Sequence, residues 1–240
     1  METDINFSSV SIVIPAYNEE STVELLISRV IDANFSGLKV EIIVVDDFST
    51  DRTIDIVSNL ASKHPSLKVC KHTLNLGKGA ALRTGFDKAN GDIVVIQDAD
   101  LEYDPKEYPK LLKPIVENKA DVVYGSRFRS DQETRVLYFW HRVANGLLTL
   151  LSNMFTNLNL TDMETGYKVF RKDILDKINL KENRFGIEPE ITAKIAHIPN
   201  IRIYEVGISY FGRTYEEGKK IGIKDAFRAF YAIVKYSIFK

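Results

Sequence analysis

Apolar residues fall into two different rhythms along this chain. In the first half they come as short dense runs: Val10-Ser11-Ile12-Val13-Ile14-Pro15, Val40-Glu41-Ile42-Ile43-Val44-Val45, Leu67-Lys68-Val69-Cys70, Asp92-Ile93-Val94-Val95-Ile96 and Asp121-Val122-Val123-Tyr124. Runs of this length, dense in β-branched residues, predict strands buried in a parallel sheet. Between them, residues 20–33, 51–63, 78–89 and 105–117 carry helix-like patterns. Strand-helix alternation predicts a doubly wound α/β sheet that binds ligands at the carboxyl ends of its strands.

After Gly125 the rhythm lengthens. Apolar residues at 136, 140, 143, 147, 151, 154 and 158 keep helical spacing through a stretch beginning Val136-Leu137-Tyr138-Phe139-Trp140. The segment 224–240 predicts a further helix with Lys224, Arg228, Tyr231 and Lys235 on one stripe. From residue 201 onward eight Lys/Arg face four acids, a local +4 in a chain whose total is -1. Basic, aromatic-rich amphipathic helices suit a lipid interface. Packing on the sheet, or on a second subunit, accounts for the same patterns.

Composition narrows the field further. With 240 residues, 45% apolar and 27% charged, the chain suits one globular domain. A net charge of -1 argues against a general nucleic-acid binder. A single cysteine, Cys70, provides neither an internal disulfide nor a thiolate cluster, so a reducing cytoplasm is the expected location. No apolar run approaches the roughly 20 residues that span a bilayer. The expectation is a protein that lies on a membrane rather than crossing it.

The candidate chemistry follows the predicted strand ends. Gln97-Asp98-Ala99-Asp100 comes directly after the fourth run, and Glu102 stands two residues further on. Two carboxylates at i and i+2 can reach one hard cation, Mg2+ or Mn2+, which also holds a diphosphate. Such an ion stabilises charge on a departing diphosphate. Asp-x-Asp is common by chance, and its place after a strand gives it weight. Asp46-Asp47 closes the second run, where an acid can accept from a ribose or base, while Ser49 or Thr50 is expected to cap the next helix. In Pro15-Ala16-Tyr17-Asn18-Glu19-Glu20, Tyr17 suits stacking on a base, and Asn18 and Glu19 suit hydrogen bonds to it. A proline stop with acids at a helix start explains the same residues. Asn75-Leu76-Gly77-Lys78-Gly79 is a flexed loop before a helix, fit for backbone approach to phosphate with Lys78 nearby, but without P-loop spacing.

Together, Ser11–Glu20, Val44–Asp51, Asn75–Gly79 and Asp98–Glu102 resemble glycosyltransferase family two. Within it they look most like the dolichyl- and polyprenyl-phosphate mannose or glucose synthases. The resemblance implies a GT-A fold, inversion at the anomeric carbon, and Mg2+ or Mn2+ held by Asp98, Asp100 and Glu102. It places a GDP- or UDP-sugar against Pro15, Tyr17, Asn18, Glu19, Asp46, Asp47, Lys78 and Asp98. Arg213, Lys219 and Lys220 look like a basic loop that closes over the donor diphosphate. Arg127 resembles an arginine facing the reacting phosphates, and Arg142 a second one near an acceptor phosphate. The chain is then one domain, with a nucleotide-sugar half (1–125), an acceptor half (126–223) and an amphipathic helix (224–240).

The expected acceptor is a polyprenyl phosphate on the cytoplasmic face of a membrane, with a membrane partner subunit as a further possibility. Arginine forks suit phosphate oxygens, and a phosphate anion attacks without a general base. A hydroxyl acceptor needs a base, and Asp162 and Glu164 are the acids placed for it; otherwise Asp162 orients arginines. Asp162 is therefore grouped with Asp98, Asp100 and Arg127 as catalytic. A third reading is a non-catalytic sugar-nucleotide-binding subunit, against which the intact acid pair argues.

Overall fold

The computed structural model describes residues 7–129, 135–136, 138–213 and 223–238. Among these, β1 (Ser9–Ala16), β2 (Lys39–Asp46), β3 (Leu67–Lys71), β4 (Ile93–Ile96), β5 (Val122–Ser126), β6 (Lys168–Arg171) and β7 (Ile203–Gly207) form one sheet. Its order is β3-β2-β1-β4-β6-β5-β7. All neighbours run parallel except β6, which is antiparallel to both β4 and β5. The expected α/β class holds. β6 and β7 lack the dense signature of the first five strands, and the sequence reading did not contain them.

The helices are α1 (Val23–Ile31), α2 (Thr53–Lys63), α3 (Lys78–Lys88), α4 (Tyr108–Val116), α5 (Phe139–Thr156), α6 (Lys172–Leu175), α7 (Ile187–Ala196) and α8 (Ile223–Ile238). Strand residues alternate between two cores, as a pleat requires. Ile12, Ile14, Ile42, Val44 and Val95 face one core, whereas Val13, Ile43, Val45, Val94 and Ile96 face the other. The first is closed by α1 and α4, through residues such as Leu26, Ile27, Leu111 and Ile115. The second is closed by α3 and α7, through Ala81, Leu82, Ile187 and Ile191. α1 is helical for a legible reason: Val23, Leu26, Ile27 and Val30 sit at i, i+3, i+4 and i+7 and are all buried.

One local expectation is corrected. Neither Ser49 nor Thr50 caps α2; the Asp51 carboxylate accepts from the Thr53 N–H at 2.9 Å, satisfying a free donor of the first turn. The apolar stripe of α5, for which both a lipid-facing and a packed role were open, divides: Leu151 and the following Leu158 pack against the second core. Val136 ahead of the helix and Trp140, Leu147 and Met154 within it are exposed, while Thr149 and Ser152 are buried. α8 packs against α5 and α7 and exposes Phe227, Phe230 and Tyr231. Arg228 and Lys235 are drawn to the buried Glu182, at 2.7 and 3.7 Å, rather than forming an unpaired basic line. No described helix is long and apolar enough to cross a membrane.

Candidate active site

A cleft of about 460 Å³ opens at the carboxyl ends of β1, β2, β4 and β5. Of the residues singled out from sequence, Pro15, Tyr17, Glu19, Asp47, Lys78, Asp98, Asp100, Glu102, Arg127, Glu164 and Arg213 line it. Asn18, Asp46, Arg142 and Asp162 are not in its wall, and Lys219 and Lys220 lie outside the described residues.

At the β1 and β2 ends, polar groups are spent on the backbone. Asp47 is buried, and its carboxylate accepts from the Leu76 and Gly77 N–H groups at 2.9 and 2.7 Å. His72 Nδ1 lies 2.7 Å from the same carboxylate. Asp47 thus sets the Asn75–Gly77 loop. Gly77 has φ +99°, and a Cβ there would stand 2.5 Å from the Asn183 carbonyl oxygen, so only glycine fits. Asn18, at φ 52°, accepts from the Thr50 N–H at 2.8 Å and donates its own N–H to Ser49 at 3.0 Å. Asn18 ties two strand-end turns together outside the cleft. Asp46 is fully buried and accepts from the Ser49 N–H at 3.2 Å.

The acid pair is arranged differently. Asp98 meets the Lys78 ammonium at 2.8 Å, and Asp100 meets Arg213 at 3.0 Å. Gly166 leaves the space that Asp98 Oδ2 occupies, since a Cβ there would collide with it. Burial, reinforced by the charges of Asp98 and Glu102 against that of Arg213, pushes the Asp100 carboxyl up to about 7. Burial opposes the Lys78 charge, but Asp98 and Glu188 outweigh it and hold the ammonium protonated. Glu102 accepts from the Arg213 N–H and the Tyr210 hydroxyl, each at 2.7 Å, and so binds the 210–213 segment to the acid pair. The donor set is hard oxygen with excess negative charge, which fits Mg2+ or Mn2+ in chemistry. No group of three acidic, His or Cys side chains among the described residues stands in ligating geometry.

Across the cleft, Asp162 is fully buried, and both its oxygens take the Arg127 fork at 2.6 and 2.7 Å. Burial would raise its pKa, but the Arg127 charge and hydrogen bonds win and hold it below the usual carboxylate range. A carboxylate so committed orients an arginine; it is poorly placed to accept a proton. Arg142 stacks its guanidinium 4.9 Å from the Phe128 ring, beside Arg127 rather than in the cleft.

Three lining or supporting groups escaped the sequence reading. Gln97 is fully buried, accepts from the Tyr108 and Tyr167 hydroxyls at 2.6 Å each, and donates to the Asp98 carbonyl at 3.1 Å. It fixes the backbone that carries the acid pair. Glu188 bridges Lys78, at 3.2 Å, and the buried Lys168. Arg184 lines the cleft over Gly77. The signal for Glu188 was available: acids at 188 and 190 within the otherwise apolar start of α7.

The profile of glycosyl transferase family 2 matches residues 11–179. The dolichol-phosphate mannosyltransferase of Pyrococcus furiosus is 34% identical over 88% of this chain, which spans 60% of that protein's length. The undecaprenyl-phosphate mannosyltransferase of Micrococcus luteus is 31% identical, covering 88% of this chain and 86% of its own. Among solved structures, glucosyl-3-phosphoglycerate synthase from Mycobacterium tuberculosis, in complex with Mn2+, UDP and phosphoglyceric acid, superposes with a TM-score of 0.73. At 21% identity, with 97% of this chain and 80% of that one covered, it establishes the GT-A architecture. With the matched segment running from β1 through the acid pair to β6, this chain is a glycosyltransferase belonging to glycosyl transferase family 2.

Proposed function

We propose that this enzyme transfers a hexose, with inversion, from a nucleotide-diphosphate sugar to a polyprenyl phosphate, using Mg2+ or Mn2+. The observation that carries this reading is the Arg127–Asp162 fork at the cleft wall. It presents a guanidinium whose orientation is set and whose partner carboxylate is no base. A phosphate anion needs such an arginine and needs no proton acceptor. Its oxygen attacks the anomeric carbon opposite the departing nucleoside diphosphate, forming one C–O bond as the other breaks. The relatives named for dolichol- and undecaprenyl-phosphate transfer support the same acceptor class.

Asp98 and Asp100 are the residues that would hold the ion, whose role is to stabilise the leaving diphosphate. Lys78 and Arg213 now neutralise these acids and stand within one side chain's reach of where that diphosphate would lie. Pro15, Tyr17 and Glu19 line the same cleft at the end of β1 and suit the nucleoside. We assign residues 1–125 to the donor half, 126–223 to the acceptor half and the remainder to the terminal helix. The exposed apolar residues of α5 and α8 suit the surface of the membrane that carries the acceptor, on its cytoplasmic side, or a membrane partner subunit.

One observation favours a second reading. Burial, with the Glu188 charge, pushes the Glu164 carboxyl up to about 7, a range suited to a base for a hydroxyl acceptor. A radiolabelled transfer assay separates the two. The protein with Mn2+ is given GDP-mannose, UDP-glucose or UDP-N-acetylglucosamine, with and without polyprenyl phosphate. Label entering the lipid phase and lost on chelation is the expected result; donor turnover that ignores the lipid phosphate would overturn the proposal.

A further inference from the structure

The carboxylates that line the cleft are almost all engaged. Asp47 takes backbone N–H groups, Asp98 takes Lys78, Asp100 and Glu102 take Arg213, and Glu188 takes Lys78 and Lys168. Glu19 accepts from Thr22 at 2.9 Å and meets Arg213 at 3.5 Å. Glu188 Oε1 is without a hydrogen bond but meets the Lys78 ammonium at 3.2 Å, whereas Glu164 Oε1 has neither a hydrogen bond nor an ion pair among the described residues. Glu164 lines the same cleft, and this oxygen is buried. A buried oxygen left so carries an uncompensated desolvation cost, which a ligand donor would relieve.

The surroundings select the donor's chemistry. Glu164 lies in the chain between Asp162, which holds Arg127, and Gly166, against which Asp98 packs, and it lines the same cleft as the acid pair. The cations that Glu164 feels, Lys168 and Arg127, are already paired with Glu188 and Asp162, so a phosphate there would meet a carboxylate of its own sign. A neutral polyol carrying O–H donors is complementary. The reacting hexose is the neutral part of a nucleotide sugar, and it is linked directly to the diphosphate that the acid pair serves.

We propose that Glu164 accepts a hydrogen bond from a hydroxyl of the donor hexose and thereby selects which sugar is transferred. The inference rests on the donor reading above, and the experiment separates the two. Calorimetric titration compares GDP and UDP with GDP-mannose, UDP-glucose and UDP-N-acetylglucosamine, on the wild type and on Glu164→Gln and Glu164→Ala. Both variants should bind the bare nucleotide within about twofold of wild type. Their affinity for the matching nucleotide sugar should fall at least about tenfold, since a site built to bond a hydroxyl loses that much when the pair is broken. A donor deoxygenated at the contacted hydroxyl should bind wild type and Glu164→Ala alike.

Equal loss of nucleotide and nucleotide sugar would overturn the inference in favour of a structural role. Unchanged sugar affinity with a collapsed kcat would overturn it in favour of a base. Unchanged affinity and rate would remove Glu164 from the site. Failure of the wild type to bind any of the three sugars would instead sink the donor reading, and this inference with it.

Discussion

Asp47 and Asp98 invite comparison because they hold the same topological post. Each follows the carboxyl end of a parallel strand, β2 or β4, and those strands flank β1 on its two sides. Asp47 is fixed by two backbone N–H groups and a histidine ring. Asp98 is met by the tip of a lysine side chain, which can swing away without moving the chain. One acid builds the wall of the cleft; the other faces a side-chain cation, Lys78, and we propose that a bound ion displaces it. An acid at a strand end is therefore not one signal but two, and its hydrogen-bond donors decide which.

Substitutions at these posts should separate the two roles. Asp98→Asn should cut kcat/KM by about 10³-fold or more, equivalent to about 4 kcal/mol of transition-state stabilisation, with a melting temperature near that of wild type. Asp47→Asn should do the reverse in kind. It places an amide N–H2 against fixed donors and should cost about 2–4 kcal/mol of folding stability by denaturant titration. Equal unfolding by both variants would erase the distinction.

Asp162→Asn leaves a neutral acceptor under Arg127 and frees that guanidinium. We expect a loss of about 10–100-fold in kcat/KM for the acceptor, with donor affinity retained, measured by varying each substrate in turn. A smaller effect concerns pH. Asp100 and Glu164 both have folded-state pKa values raised to about 7, above their ordinary 3.8 and 4.5. Groups raised in this way lend stability that is full below the unfolded value and lost as pH rises through the folded one. The ion-free protein should therefore lose stability between about pH 4 and 7. Asp100→Asn should flatten that slope and raise the melting temperature at pH 8 while abolishing turnover. A lowered melting temperature there would contradict the repulsion assigned to the acid trio. The smallest effect is expected at the surface: Trp140→Glu should weaken flotation with anionic vesicles and leave transfer to a detergent-dispersed acceptor unchanged.

The legible parts of this molecule were those where pattern and geometry are local. The dense runs named five strands, and the loops after them named most of the cleft wall. β6 and β7 were not legible, because β6 has a buried lysine at its start and β7 is only half-buried. Arg184 and Glu188 reach the cleft only through the segment leading into α7, and Lys168 of β6 lies buried behind Glu188, contacts that no spacing rule contains. Asp162 and Glu164 were seen together, but two residues of chain could not say which one faces the cleft. In α5 the periodicity was legible, but whether its stripe faces the core or the outside was left open by the sequence, and the structure divides it. The helix buries Thr149, whose hydroxyl accepts from the Met163 N–H, and turns Trp140 outward.

The contrast between the two posts reduces to one proposal: the acid pair binds a divalent ion and the Asp47 loop does not. It is tested most directly by titrating Mn2+ into the protein with UDP or GDP present and following the free ion by electron paramagnetic resonance. Wild type should bind one ion per chain, with binding lost in Asp98→Asn. Undiminished binding by that variant, or no bound ion in the wild type, would contradict it.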